Sequence, residues 1–316
     1  MEYRRLGKTG LMISAVGLGG HWKGLEAALG RPFEGSGYDA ADYDNIHAPD
    51  FIENRHEVVS RAIELGVNYV DACSPPEVLA YSKALDGRRD AMYLGYSWHT
   101  REPRFPEWRS AARLLEGLEA SLAEARLDAV DVWRVSLPVD GIEDADERQR
   151  IEEATAGALA LAKRQGKARF TGVSSHDAGW LRMMMARYPE QIEVVLFPVP
   201  VGAKTYASAG EPTRQAEACA TAHDTGVLGI KPFGGGALFR GDGCDGWRAR
   251  LAIRAILAHP LAATLPGCAS VQQVTNAVAA VQEPRAFDPE ERAELERSVA
   301  AMQARVPAWL RSWQNP

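Results

Sequence analysis

Short apolar, β-branched runs alternate along the chain with longer amphipathic or alanine-rich stretches. Ala15–Leu18, Val67–Asp71, Met92–Gly95, Val130–Val135, Ala168–Val173, Ile192–Phe197, Val227–Lys231 and Ala263–Pro266 read as eight strands. Between and after them, Asn54–Leu65, Pro76–Leu85, Ser110–Ala125, Asp146–Gln165, Ala178–Tyr188, Glu211–Thr225, Trp247–Ala258 and Val271–Gln282 carry helical spacing. Strict alternation implies parallel strands joined by right-handed crossovers. Eight units fit an α/β fold of the closed (β/α)8 TIM-barrel kind, whereas the alternative, an open doubly wound sheet, has about six strands and opens on a Gly-rich turn. Residues 2–14 alternate in polarity around Gly7-Lys8-Thr9-Gly10 and read as an N-terminal β-hairpin plugging one barrel mouth. Asp288–Val306 reads as an extra C-terminal helix, followed by Trp309 and Trp313. A polar, Gly-rich insertion, His21–Asp50, is expected to form a flap after the first strand. With no repeat, linker or low-complexity tract, residues 1–316 read as one domain.

Composition narrows the partners. The net charge of −6 argues against nucleic acid or an anionic membrane surface, both of which select a basic face, and leaves a small-molecule substrate. Oligomeric state is not legible. The opening Met-Glu-Tyr-Arg-Arg-Leu-Gly-Lys puts charges where a signal peptide needs an apolar core, so a cytoplasmic location is expected. The four cysteines, Cys73, Cys219, Cys244 and Cys268, show no CxxC spacing, so no zinc or iron–sulfur site is encoded and reduced thiols are expected.

In such barrels the chemistry lies at the C-terminal strand ends, where the βα loops converge. Those positions hold His21, Trp22 and Lys23; Asp71 and Cys73; Ser97, Trp98 and His99; and Arg134 and Ser136. Further round come Ser174, Ser175 and His176, then Lys231-Pro232-Phe233-Gly234-Gly235-Gly236, then Pro266-Gly267-Cys268.

These residues resemble the aldo-keto reductase superfamily. Tyr3–Leu11 with Val16-Gly17-Leu18-Gly19 is similar to that family's hairpin and first strand, and Gly66–Asp71 to its second strand with the catalytic aspartate. Gly87–Asp90, Leu127–Asp131, Gly166–His176, Lys231–Gly236 and Pro266-Gly267 match later landmarks in the same order. The resemblance implies a barrel that transfers hydride between NADP(H) or NAD(H) and a carbonyl through an Asp, Tyr, Lys and His set. In that set tyrosine protonates the alkoxide, lysine lowers its pKa, aspartate holds lysine and histidine orients the carbonyl. Here only Asp71 matches. The stretch where the tyrosine belongs reads Ala72-Cys73-Ser74-Pro75-Pro76-Glu77, about two residues short, and Tyr81 falls on a helix leucine. The lysine and histidine positions hold Ser97 and Ser136.

On the cofactor side the resemblance implies that Ser174 and Ser175 hold the carboxamide, and that Lys231 through Gly236 approach the pyrophosphate with backbone amides that only glycine exposes so closely. It also implies that Gly267, Cys268, Ser270 and Gln272 line the adenosine end, with no Arg or Lys in that stretch for a 2′-phosphate.

An unpaired Asp71 in a barrel mouth is costly. Arg134 shares the inward parity of its strand with Ser136, so we expect it to pair with Asp71 and replace the missing cation, or to form a buried ion pair without a catalytic role. His21, His99 and Tyr96 are the candidate replacement proton donors, and the long-range spacing of His21, His99 and His176 gives only a weak metal signal, so no metal ligand is assigned. Cys73 reads as a packing thiol or a nucleophile, and Glu77 as a first-turn helix charge. Trp22, Trp98 and Trp133 read as rim packing or as walls for a sugar or flat ring. The expected function is an oxidoreductase acting on a polar or sugar-like carbonyl with a rearranged acid/base site. The alternatives are a non-redox epimerase or lyase using Asp71 and histidines, and a nucleotide-binding protein without turnover.

Overall fold

The computed structural model describes residues 1–22, 24–33, 45–137, 142, 144–202, 207–239 and 245–305, with backbone alone for 207–212. Lys23 and residues 34–44 of the expected flap lie outside the described residues, as do Cys244, Trp309 and Trp313. An antiparallel hairpin of β1 (Tyr3–Arg5) and β2 (Met12–Ser14) comes first. It is followed by α1 (Leu25–Leu29), α2 (Pro49–Glu64), β3 (Tyr69–Ala72), α3 (Pro75–Ala84), β4 (Tyr93–Tyr96), α4 (Ala111–Ala125) and β5 (Val130–Ser136). Next are α5 (Ala145–Arg164), β6 (Ala168–Ser174), α6 (Ala178–Arg187), β7 (Val194–Pro198), α7 (Ala207–Ala222) and β8 (Gly226–Ile230). Finally come α8 (Gly246–Ile256), β9 (Ala263–Leu265), α9 (Val271–Gln282) and α10 (Pro289–Gln303).

β3 through β9 pair in parallel in chain order, as right-handed βα units dictate. The gap between β9 and β3 is closed by the expected first strand, which forms a seam of single bridges: Val16 to Thr264 and Leu18 to Val70. Gly17 N donates to Thr264 O at 3.0 Å and Leu18 N to Tyr69 O at 2.9 Å. A Cβ at Gly17 would lie 2.8 Å from Tyr69 O, and one at Gly19 2.6 Å from Leu265 O, so the seam sits closer than any side chain permits. With this segment the barrel has eight staves.

Local chemistry sets the helix starts. Pro49 occupies the first turn of α2, where it sacrifices no hydrogen bond, so the helix begins before the expected Asn54. Asp144, Asp177 and Asp245 cap α5, α6 and α8 through their carboxylates. Packing forms two shells. Inside the barrel, Tyr69, Val132, Val194 and Leu228 meet Leu6, Leu11 and Ile13, so the hairpin plugs the N-terminal mouth. Val58, Leu118, Leu159 and Leu181 fill the layer between strands and helices. Gly7, at φ +49°, presses its backbone onto β8, where a Cβ would stand 2.2 Å from Gly226 N. With one end plugged, the site is left to the other.

Candidate active site

Strand parity decides which side chains enter the C-terminal mouth. Tyr69 and Asp71 on β3 point inward, as do Val132 and Arg134 on β5 and Ser174 on β6. Asp71 and Arg134 form a bidentate ion pair: Nε donates to Oδ2 at 3.0 Å and Nη2 donates to Oδ1. Nη1 donates to Ser174 Oγ at 3.0 Å and Nη2 also to the Ala72 carbonyl at 3.3 Å. Arg134 is 1% exposed and Asp71 4%, so the pair depends on these contacts rather than on water. Room comes from Gly95 on β4, where a Cβ would fall 2.4 Å from Asp71 Oδ2 and 2.2 Å from Tyr69 Oη. Burial pushes the Asp71 carboxyl upward while Arg134 pulls it back. Burial also opposes the Arg134 charge, and Asp71 more than offsets it, so the guanidinium stays charged.

The segment after Asp71 is built around a carboxylate instead of a tyrosine. Glu77, in the first turn of α3, forms a capping box with Ser74 and accepts from Cys73 N at 3.0 Å. Its Oε1 accepts from His21 N at 2.6 Å and lies 3.0 Å from His21 Nδ1. Burial raises its pKa, but His21 and the backbone amides reverse this and hold the carboxyl at about 2. His21 adopts a left-handed φ of 53° to make these contacts. A Cβ at Gly20 would stand 2.0 Å from the Glu77 carboxyl carbon, so glycine is required there. Ligand atoms of His21, Cys73 and Glu77 lie within 4.8 Å of one another, but both Glu77 oxygens are already occupied by protein donors. The Cys73 thiol is pushed well up by burial and by Glu77, which works against a thiolate there and favours the packing reading.

The expected proton donors do not converge on Asp71. Tyr96 follows inward-facing Gly95 and therefore faces outward, toward Ser121 on α4, beside Trp98. His99 Nδ1 lies 3.3 Å from the Cys73 carbonyl, which also accepts from the His99 amide at 3.1 Å. His21 is turned onto Glu77. His176 stands at the mouth, its pKa lowered to about 3 by burial and then by Lys231 and Arg104, so it is neutral. Tyr81 donates to the Gly19 carbonyl at 2.6 Å and accepts from Trp22 Nε1 at 3.1 Å, a structural role. Trp22 packs edge-on to Tyr81, Trp98 lies under Arg101, and Trp133, outward by parity, is buried, so none forms an open wall.

One acidic residue escaped the sequence reading. Glu102, in the loop between β4 and α4, is 2% exposed and accepts from Ser97 Oγ, the hydroxyl at the family's lysine position. Burial raises its pKa, opposed by Arg104, by Ser97, by the backbone of Ser136 and by Arg134. In sequence it is an ordinary acid between Arg101 and Arg104, with no spacing that singles it out.

On the cofactor side, Ser174 and Ser175 are both buried at the end of β6. Ser174 accepts from Arg134, and Ser175 Oγ accepts from Asp177 N at 3.1 Å. Beyond β8, Lys231 has φ +55° and Gly234, Gly235 and Gly236 have φ of 57°, 66° and 94°, a turn that glycine makes possible. The expectation of bare amides needs correction: Gly234 N donates to Lys231 O at 2.9 Å and Gly236 N to Phe233 O at 3.0 Å, because the tight turn consumes them. Phe233 packs against Phe239 with the rings tilted and their centroids 5.1 Å apart, and Pro232 is buried.

The β9 loop also departs from expectation. Gly267 meets Gly20 O, where a Cβ would be 2.1 Å away, and Cys268 is buried with its side chain in the core. Ser270 caps α9 by accepting from Gln273 N at 3.3 Å, and Gln272 bonds along the helix surface to Asn276 at 3.2 Å. A basic residue does adjoin this loop: buried Arg55 on α2 donates to the carbonyls of Cys268 at 2.9 Å and Ala269 at 2.8 Å. It lies over the Trp22 ring at 4.7 Å, and burial lowers its pKa to about 10. Arg55 is spent on holding the loop.

No family model matches the chain. It is 27% identical over 202 residues to L-galactose dehydrogenase of Arabidopsis thaliana, a match covering 62% of this chain and 56% of that enzyme's length. Its structure is similar to the holo form of an aldo-keto reductase from Bacillus halodurans, with TM-score 0.64, 19% identity and 98% and 99% of the two chains covered. It is likewise similar to an aldo-keto reductase from Klebsiella pneumoniae in complex with NADP and acetate, with TM-score 0.63, 17% identity and 94% of each chain. The chain has the fold of the aldo-keto reductases.

Proposed function

We propose that this chain is an NAD(P)-dependent oxidoreductase of the aldo-keto reductase type, acting on a polar or sugar-like carbonyl with a rearranged acid/base site. The observation that carries this reading is the Arg134 guanidinium, which joins Asp71 to Ser174 and so links the reacting end of the barrel to the strand that would hold the carboxamide. NADP in the Klebsiella neighbour and the sugar named for the Arabidopsis relative support cofactor and substrate class. The donor set suits a nicotinamide dinucleotide. Ser174 and Ser175 offer hydroxyls to the carboxamide, and Lys231 brings a cation to the glycine turn, where exposed Gly235 leaves space for a phosphate. Ser270 starts α9, whose amide end favours an anion. When bound, the dinucleotide supplies the hydride and its electron pair. Arg134 supplies fixed positive charge near a developing alkoxide without giving up its own proton.

An epimerase or lyase would need Asp71 as a base, and both its oxygens are engaged by Arg134. Nucleotide binding without turnover is the second reading, favoured by Ser97 and Ser136 at the lysine and histidine positions. Incubation with NADPH or NADH and a panel of aldoses, and of L-galactose with NADP+ or NAD+, followed by nicotinamide absorbance, tests the proposal. Saturable, protein-dependent turnover supports it. Dinucleotide binding with no turnover across the panel supports the second reading.

A further inference from the structure

We propose that Glu102 is the proton donor of this site, standing in for the missing tyrosine, an assignment that rests on the oxidoreductase reading. Its loop turns the carboxyl back onto the end of β4, where Ser97 Oγ donates to Oε1. The backbone of Ser136, at the end of β5, bears on the same carboxyl, which thus lies between the two strand ends where the family keeps its lysine and histidine. Oε2 is buried and, among the described residues, has no hydrogen-bond partner. Buried polar atoms are otherwise satisfied almost everywhere, so an oxygen left open at the reacting end of a barrel is a position for a ligand atom.

Among the described residues, the charged and titratable groups that bear on Glu102 include Arg104 on its own loop, Arg134 on β5 and Tyr96 on β4. Tyr96 faces α4 and stays protonated, its own pKa raised by burial. Burial outweighs the two cations and raises the Glu102 pKa, favouring the neutral acid. A protonated carboxyl donates through the oxygen that bears the proton, while the other keeps accepting from Ser97. In reduction, the Glu102 O–H bond breaks as an O–H bond forms on the substrate's former carbonyl oxygen. The carbonyl carbon is reduced by the two electrons that arrive with hydride from the nicotinamide, which is oxidised. The carboxylate left behind faces Arg104 and Arg134 and regains its proton from solvent. The site would thereby exchange a tyrosine that needs a cation to acidify it for a carboxylic acid that burial makes less acidic.

Infrared spectroscopy of the ligand-free protein at neutral pH tests the protonation state without any cofactor. The expected result is a protonated-carboxyl stretching band that is lost in Glu102→Gln; a spectrum unchanged by the substitution overturns the proposal. On the loaded enzyme, Glu102→Gln should lower reduction of an aldose by about 10²–10⁴-fold while NADPH binding, read by tryptophan fluorescence, stays within about twofold. Glu102→Asp should recover part of that loss, with wild-type turnover falling as pH rises through the Glu102 pKa. Turnover unchanged in Glu102→Gln overturns the assignment. No turnover in the wild type overturns the oxidoreductase reading and the catalytic role with it, whereas the infrared band still reports whether Glu102 is a neutral acid.

Discussion

The two halves of the barrel mouth are built on opposite principles. On the β3–β5 side, charge is satisfied within the protein: Asp71 and Arg134 neutralise one another, and Glu77 is held by His21 and the amides of Cys73 and Ser74. On the β8–β9 side the work is done by backbone, through the left-handed turn at Lys231–Gly236 and the loop carbonyls gripped by Arg55. The difference separates features that side-chain substitution can change from features that chain path sets. Side-chain roles can be exchanged once a compensating charge is in place, whereas a backbone turn depends on glycines and chain path that substitutions elsewhere leave alone.

The largest effect should come from splitting the ion pair. Arg134→Met is expected to destabilise the fold by about 3–5 kcal/mol in urea unfolding, because it strands a buried carboxylate. The double variant Asp71→Leu with Arg134→Met should recover most of that loss, since both charges leave together. Equal losses in single and double variants would show that the pair contributes by packing instead.

Glu77 sharpens the same contrast through pH. Its folded pKa of about 2 lies below the ordinary carboxylate value, so its stabilisation is fully present above the unfolded value of 4.5 and is lost as pH falls through about 2. Glu77→Gln should flatten the stability profile across that window and cost about 1–3 kcal/mol at neutral pH, where His21 N and Cys73 N lose a charged acceptor. An unchanged acid profile would contradict the capping account.

Much of this was open to reading from the chain. Strand and helix alternation, the hairpin plug and the inward parity shared by Arg134 and Ser136 depend on local periodicity, which survives in any single sequence. The seam at Val16–Leu18 was readable as a strand but not as two single bridges, because pairing partners are set by closure of the whole barrel. Tyr96 shows the limit of positional reasoning: one step from Gly95, it lies on the opposite face of the sheet. Glu102 was invisible because a long-range loop path, not a motif, carries it to Ser97. The consumed amides of Gly234 and Gly236 were hidden too, since a run of glycines specifies permission to turn and not which donors the turn uses.

Smaller effects should come from the backbone side. Lys231→Met is expected to weaken NADPH binding about tenfold, roughly 1.4 kcal/mol, with little change in stability. Ser270→Ala, which removes the α9 cap, should cost about 1 kcal/mol in urea unfolding. Larger stability losses here than at Arg134 would invert the comparison between the two halves.

The central claim is that a nicotinamide dinucleotide seats between Ser174 and the Lys231–Gly236 turn. Titration of the protein with NADPH and NADH, followed by tryptophan fluorescence, tests it most directly. The account predicts a saturable change with at least one of them, weakened in Lys231→Met; a flat response to both would contradict it.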